Sequence, residues 1–184
     1  VVTDFGTVGA MSSSYAQWWL RSSLLGHFTS YQTEYTHLTS YGNEELSLID
    51  TVMVHELIRS VDVMGDLKGF VVNDCVDADD LPDDIYLSDG TVDTVAIASN
   101  MQMKKISATE YTLSITPSQQ GWNYANIIDP TGGMMRLVGA VRMPSTGTGR
   151  NIWLTDRTLP DGKEPIYENR IHFVDDFSNK ETVT

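Results

Sequence analysis

The sequence predicts an all-β chain, a single eight-stranded jelly-roll β-sandwich with extended terminal arms. Three observations carry this. Apolar and polar residues alternate over short stretches, as in Tyr111-Thr112-Leu113-Ser114-Ile115, which is the period of a half-buried strand. Turn signals such as Gly42-Asn43, Pro130-Thr131-Gly132-Gly133 and Pro160-Asp161-Gly162-Lys163 separate the apolar runs. Few stretches repeat with a helical period. Many short strands joined by turns mean a sandwich, barrel or jelly roll. At 184 residues the chain is domain-sized and can bury a core without staples. The expected division is an arm over 1–14, one β-sandwich domain over 15–174 and a tail over 175–184.

The elements follow in order. Residues 1–14 are small and polar, with Gly6 and Gly9, and predict an arm. Tyr15 to Phe28 carries Trp18, Trp19, Leu20, Leu24 and Leu25 and fits a short helix or a buried strand. Thr29 to Tyr41 alternates Tyr31, Thr33, Tyr35, His37, Thr39 and Tyr41, which favours a strand. Leu46 to Ile58 has a helix signal in Asn43, Glu44 and Glu45. Thr51-Val52-Met53-Val54 and the shared parity of Leu46, Leu48, Val52 and Val54 favour a strand there, and a strand is the expectation. Phe70-Val71-Val72 is a short apolar strand.

Residues 74–93 are expected to be an acidic loop holding Pro82 and Asp89-Gly90. Thr94 to Ser99 predicts a strand, as do Tyr111 to Ile115, Trp122 to Ile128, Met134 to Met143, Ile152 to Leu154 and Ile166 to Val174. Pro117-Ser118-Gln119-Gln120-Gly121 turns the chain, Pro144 to Gly149 is a loop, and the segment after Asp175 is a polar tail.

Charge is the strongest compositional signal. There are 12 Lys and Arg against 25 Asp and Glu, a formal charge of −13. The acids are 17 Asp and 8 Glu, and Lys is the scarcest charged residue at 5. Such a surface repels itself in dilute buffer. In about 1 M salt the Debye length falls to about 3 Å and the repulsion is screened. The bias therefore points to a high-salt environment. Duplex nucleic acid is not an expected partner, because neutralising phosphates takes clustered Lys and Arg.

Catalytic patterns are missing. The sequence has no phosphate-binding loop, no dinucleotide glycine fingerprint and no nucleophile elbow. His55-Glu56 opens like a zinc-protease helix, but Arg59 stands where the second His would be. His27, His37, His55 and His172 are scattered, with no close His-x-His pair. The single cysteine, Cys75, lies in an acidic stretch and is read as a small packing residue. No enzyme, cofactor or small-molecule substrate is expected. Val1-Val2-Thr3-Asp4 lacks the basic and apolar regions of a secretory leader, and no apolar run approaches the length of a membrane span.

Two groups of residues are candidate sites. Asp77, Asp79, Asp80, Asp83 and Asp84 cluster carboxylates at short spacing, as a hard cation such as Ca²⁺ would need. They do not match a calcium-binding helix-loop-helix, and a solvated acidic loop is the simpler reading. Trp18 and Trp19 would point to opposite faces of a strand. Core packing is the simpler reading for them. An interface with a neighbouring subunit or a membrane surface is the alternative, which makes Trp18, Trp19, Tyr31 and Tyr35 interface candidates.

In length and character the whole chain resembles the small major capsid protein of the tailless icosahedral, internal-membrane viruses of halophilic archaea, the sphaerolipovirus group. The shared features are the β-rich, Asp-heavy, Lys-poor, disulfide-free sequence and its polar ends; no functional residue is carried over. The resemblance implies a single upright jelly roll. It also implies capsomers formed with further copies and a second capsid protein, an underlying viral membrane, and a place in the virion after assembly in the host cytoplasm. The alternative is a carbohydrate- or receptor-binding β-sandwich of a spike or surface layer, with Tyr31, Tyr35 and Tyr41 as its platform.

Overall fold

The computed structural model describes residues 1–10, 12–18, 32–37, 50–63, 67–74, 81–141, 151–155 and 169–177. Among them the chain is all-β, with ten strands and no helix. The strands are β1 (Glu56–Asp62), β2 (Lys68–Asn73), β3 (Asp84–Leu87), β4 (Val92–Thr94), β5 (Ala96–Ile97), β6 (Asn100–Lys105), β7 (Tyr111–Thr116), β8 (Gly121–Ile128), β9 (Ile152–Thr155) and β10 (Arg170–Phe177).

They form three layers. The first sheet is an antiparallel meander in the order β1-β2-β3-β4. The second has the order β5-β8-β10-β9, antiparallel except for the short parallel pair β5–β8. The third is the hairpin β6–β7. Val61, Val71 and Ile85 of the first sheet pack with Trp122, Tyr124, Trp153 and Val174 of the second. The other face of the second sheet packs on the hairpin through Ala125, Phe173, Phe177 and Ile115. The second sheet is thus covered on both sides. Trp122, Asn123, Tyr124 and Ala125 are all buried in succession, which alternation alone does not foresee.

Polar side chains brace the layers. Asn151, just before β9, accepts from the Asp62 amide at 3.0 Å and donates to the Asp62 carbonyl at 2.9 Å, tying the second sheet to the end of β1. Asn123 organises the turn before β8: its Oδ1 accepts from the Ser118 amide at 2.9 Å, and its Nδ2 donates to the carbonyls of Gln119 and Gly121. The buried Asp129 carboxylate accepts from the Thr131 amide at 2.8 Å and the Gly133 amide at 3.0 Å. Gly133 has φ of 80°, and a Cβ there would stand 2.7 Å from the Asn169 Oδ1. On the outer face of the first sheet, Ser12 to Trp18 crosses the strands. Ser13 donates to the Ser88 carbonyl in the β3–β4 turn, the Tyr15 ring lies 5.4 Å from Phe70 of β2, and Gln17 donates to Ser60 of β1 at 3.0 Å.

Several expectations are corrected. Residues 50–55 of the predicted 46–58 strand have no regular structure; pairing begins only at Glu56, opposite Asn73. The acidic loop 74–93 contains the β3–β4 hairpin. Its turn is the Asp89-Gly90 pair, with Gly90 at φ of 92° and Asp89 accepting from the Thr91 amide at 2.9 Å. The acids there occupy partly or fully exposed positions of an edge hairpin, where water solvates them, while Ile85 fills the core. The predicted 94–99 strand is broken at Val95, where the chain crosses from the first sheet to the second. β6 was not expected, because Asn100-Met101-Gln102-Met103-Lys104-Lys105 lacks β-branched residues; pairing with β7 supplies its order.

Of the predicted strand 134–143, residues 134–140 form none and Val141 makes only an isolated bridge. Residues 15–18 and 32–37 have no regular structure, which leaves the strand expected over 29–41 unsupported at 32–37. β10 runs on to Phe177, three residues into the predicted tail, because Phe177 is buried beside the hairpin.

Candidate functional site

The inner face of the second sheet carries a polar and aromatic cluster near the β9 edge. It arises from strand register: His172 of β10 lies opposite Trp153 of β9 on one side and Asn126 of β8 on the other. The His172 Nδ1 is 2.6 Å from the Tyr124 hydroxyl, and its Nε2 is 2.6 Å from the Thr155 hydroxyl. One hydroxyl donates to the ring and the other accepts from it, whichever nitrogen carries the hydrogen. The imidazole stacks on Trp153 with centroids 5.2 Å apart and planes 7° from parallel. The Arg59 guanidinium of β1 lies over the same indole, 5.4 Å from the ring centroid. Arg170 donates to the Asn126 side-chain oxygen, Oδ1, at 2.9 Å.

Burial, followed by the nearby charges of Arg170 and then Arg59, lowers the His172 pKa to about 4. The ring is therefore neutral near pH 7. A base this weak accepts a proton from a threonine hydroxyl poorly, and both of its nitrogens are already engaged. The arrangement acts as a brace joining β8, β9 and β10. It was missed in the sequence, where His172 is one of four scattered histidines. The available signal was a polar residue inside the apolar run Ile171-His172-Phe173-Val174, since a buried imidazole needs partners.

The sequence-predicted residues are dispersed. Asp77, Asp79 and Asp80, with Trp19, Tyr31, Tyr41 and Cys75, lie outside the described residues. Asp83 is committed to its own backbone surroundings: its carboxylate accepts from the Asp74 amide at 2.8 Å, its amide donates to Val72, and its carbonyl accepts from Val95. Asp84 opens β3 opposite Val72 and Thr94. Among the described residues no three His, Cys, Asp or Glu side chains are grouped to hold a metal. Trp18 is half exposed, so it is not the core member of the tryptophan pair, and Tyr35 is exposed as well. His55 stands before β1 with its Nε2 3.0 Å from the Tyr86 hydroxyl. The Tyr86 pKa is raised, chiefly by burial and also by the charges of Asp84 and Asp74.

Large apolar side chains are exposed at two stretches outside the strands. One is Val52-Met53-Val54 before β1. The other runs from Met134 to Val141, where Met134 is 87%, Val138 89% and Val141 72% exposed. No family model, no curated protein and no solved structure matches this chain.

Proposed function

We propose that this chain is a structural shell subunit, a capsid protein that assembles by lateral contacts in high salt. The observation that carries the reading is the apolar chain left outside a packed sandwich, at Val52-Met53-Val54 and at Met134 to Val141. Monomeric soluble proteins rarely expose contiguous apolar stretches of this kind, and such stretches mark contact surfaces. The formal charge of −13 supports the high-salt setting, in which like-charge repulsion between packed copies is screened. The half-exposed Trp18 on the arm that crosses the first sheet is a further candidate contact.

In this reading the two facing four-stranded sheets are the body of a jelly roll, with β6–β7 as an added layer. The partners are further copies, a second capsid protein and an underlying viral membrane, and the chain resides in the virion. Sedimentation velocity and negative-stain electron microscopy of the purified chain in about 2 M salt test the proposal. Concentration-dependent capsomers or larger shells are expected, alone or with a co-expressed partner. A chain that stays monomeric at every salt and protein concentration, with and without that partner, would rule it out.

A further inference from the structure

We infer that Met134 to Val141 is a contact strand that adds to the free edge of β4 in a second copy of this chain. The inference rests on the reading of the chain as a self-assembling subunit and names one of its contacts.

The donor segment is built for such a contact. Its root is held by the Asp129 carboxylate, which accepts from the Thr131 and Gly133 amides at 2.8 and 3.0 Å. Beyond that clamp, Met134, Val138 and Val141 stand in solvent. No backbone hydrogen bond joins residues 135–140 to another described residue. The stretch Met134-Met135-Arg136-Leu137-Val138-Gly139-Ala140-Val141 has no proline and no acid, so it can pair as a strand. A segment already fixed at one end loses less freedom on docking.

The acceptor is a sheet edge. β4 pairs with β3 on one side, and no described strand pairs with it on the other. Its three residues, Val92, Asp93 and Thr94, are all exposed. An open edge recruits an extended segment through its backbone groups.

Charge selects this edge and a second copy as its occupant. From residue 130 to residue 155 the sequence has three arginines and no acid, whereas 69–103 has eight aspartates and no base. In so acidic a chain, a stretch free of acid is the complement to that edge. With Arg136 opposite Asp93, Met135 and Leu137 fall on the same face as Val92. The two surfaces differ, so the contact is head to tail and propagates from copy to copy, as a lattice requires.

The test is sedimentation of the full chain at the lowest salt where its circular dichroism is native. Leu137→Asp replaces the exposed apolar side chain set opposite Val92, so its unfolding midpoint should stay close to that of the wild type while self-association weakens roughly tenfold or more. Arg136→Asp and Asp93→Arg should each weaken association. An equimolar mixture of these two variants should regain head-to-tail association, because each donor strand then meets the opposite charge on the other variant's edge, which neither variant offers alone. If the wild type assembles and Leu137→Asp assembles equally well, this contact is wrong while the structural role stands. If Leu137→Asp weakens assembly but the mixture restores nothing, the β4 edge is not the acceptor and the inference is overturned. A wild type that never associates overturns both.

Discussion

His172 and Tyr124 meet across neighbouring strands, ring nitrogen to phenol, at 2.6 Å inside the sandwich. With Thr155 on its other nitrogen, both imidazole nitrogens are hydrogen-bonded to hydroxyls. Its pKa falls from 6.5 to about 4, chiefly through burial. In the unfolded chain this proton binds as the pH drops through 6.5, while in the folded chain it does not bind until about pH 4. Stability is therefore intact above pH 6.5 and is lost as the pH falls through that window. The loss at pH 4 should be about 3 kcal/mol. Urea midpoints of wild type and His172→Gln at pH 7 and pH 4.5 check this. The variant should be less stable at pH 7 yet lose less on acidification. Parallel slopes would show that His172 is not the group responsible.

Gly69 of β2 faces the core, where a Cβ would stand 2.7 Å from Ile85 Cδ1 and 2.9 Å from Val61 Cγ2. Gly69→Ala should thus cost about 1–3 kcal/mol through overpacking. Gly139 has nothing within 4 Å of its would-be Cβ, so Gly139→Ala should be neutral within about 0.5 kcal/mol. Chemical denaturation of the pair separates the two cases, and equal effects would show that the first sheet has room to relax.

Asn151 offers its amide to both backbone groups of Asp62, across the two sheets. Asn151→Ala leaves that donor and acceptor unmatched, at a cost of about 1–3 kcal/mol. Asn151→Asp keeps the acceptor but sets a carboxylate against the Asp62 carbonyl, and it should be no better than alanine. Thermal unfolding decides it: an aspartate variant as stable as the wild type would mean that water replaces the lost donor.

The formal charge of −13 predicts a salt-dependent fold. The unfolding midpoint should rise between about 0.1 and 2 M KCl as repulsion among aspartates is screened. A midpoint that is flat or falling over that range would remove the support for a high-salt setting.

The sequence by itself determined the class and most of the central strands. Val and Phe in β2, the alternation of β7 and the aromatic run of β8 have no other good use, because their side chains need a pleated, covered surface. It also determined the acidity. Tertiary structure decided what alternation and composition leave open. The stretch 134–140 has strand-forming residues but forms no strand among the described residues, since pairing needs a second edge at the right place. Conversely, Asn100 to Lys105 became a strand through pairing with β7 and the packing of Met101 against the second sheet. The acidic loop became a hairpin because Asp89-Gly90 can turn the chain, with its charges at exposed positions. His172 acquired its role only from register, which set Trp153 and Asn126 opposite it. Local residues determine which segments can pair; only the folded chain determines which edges meet, and so which polar groups are buried together.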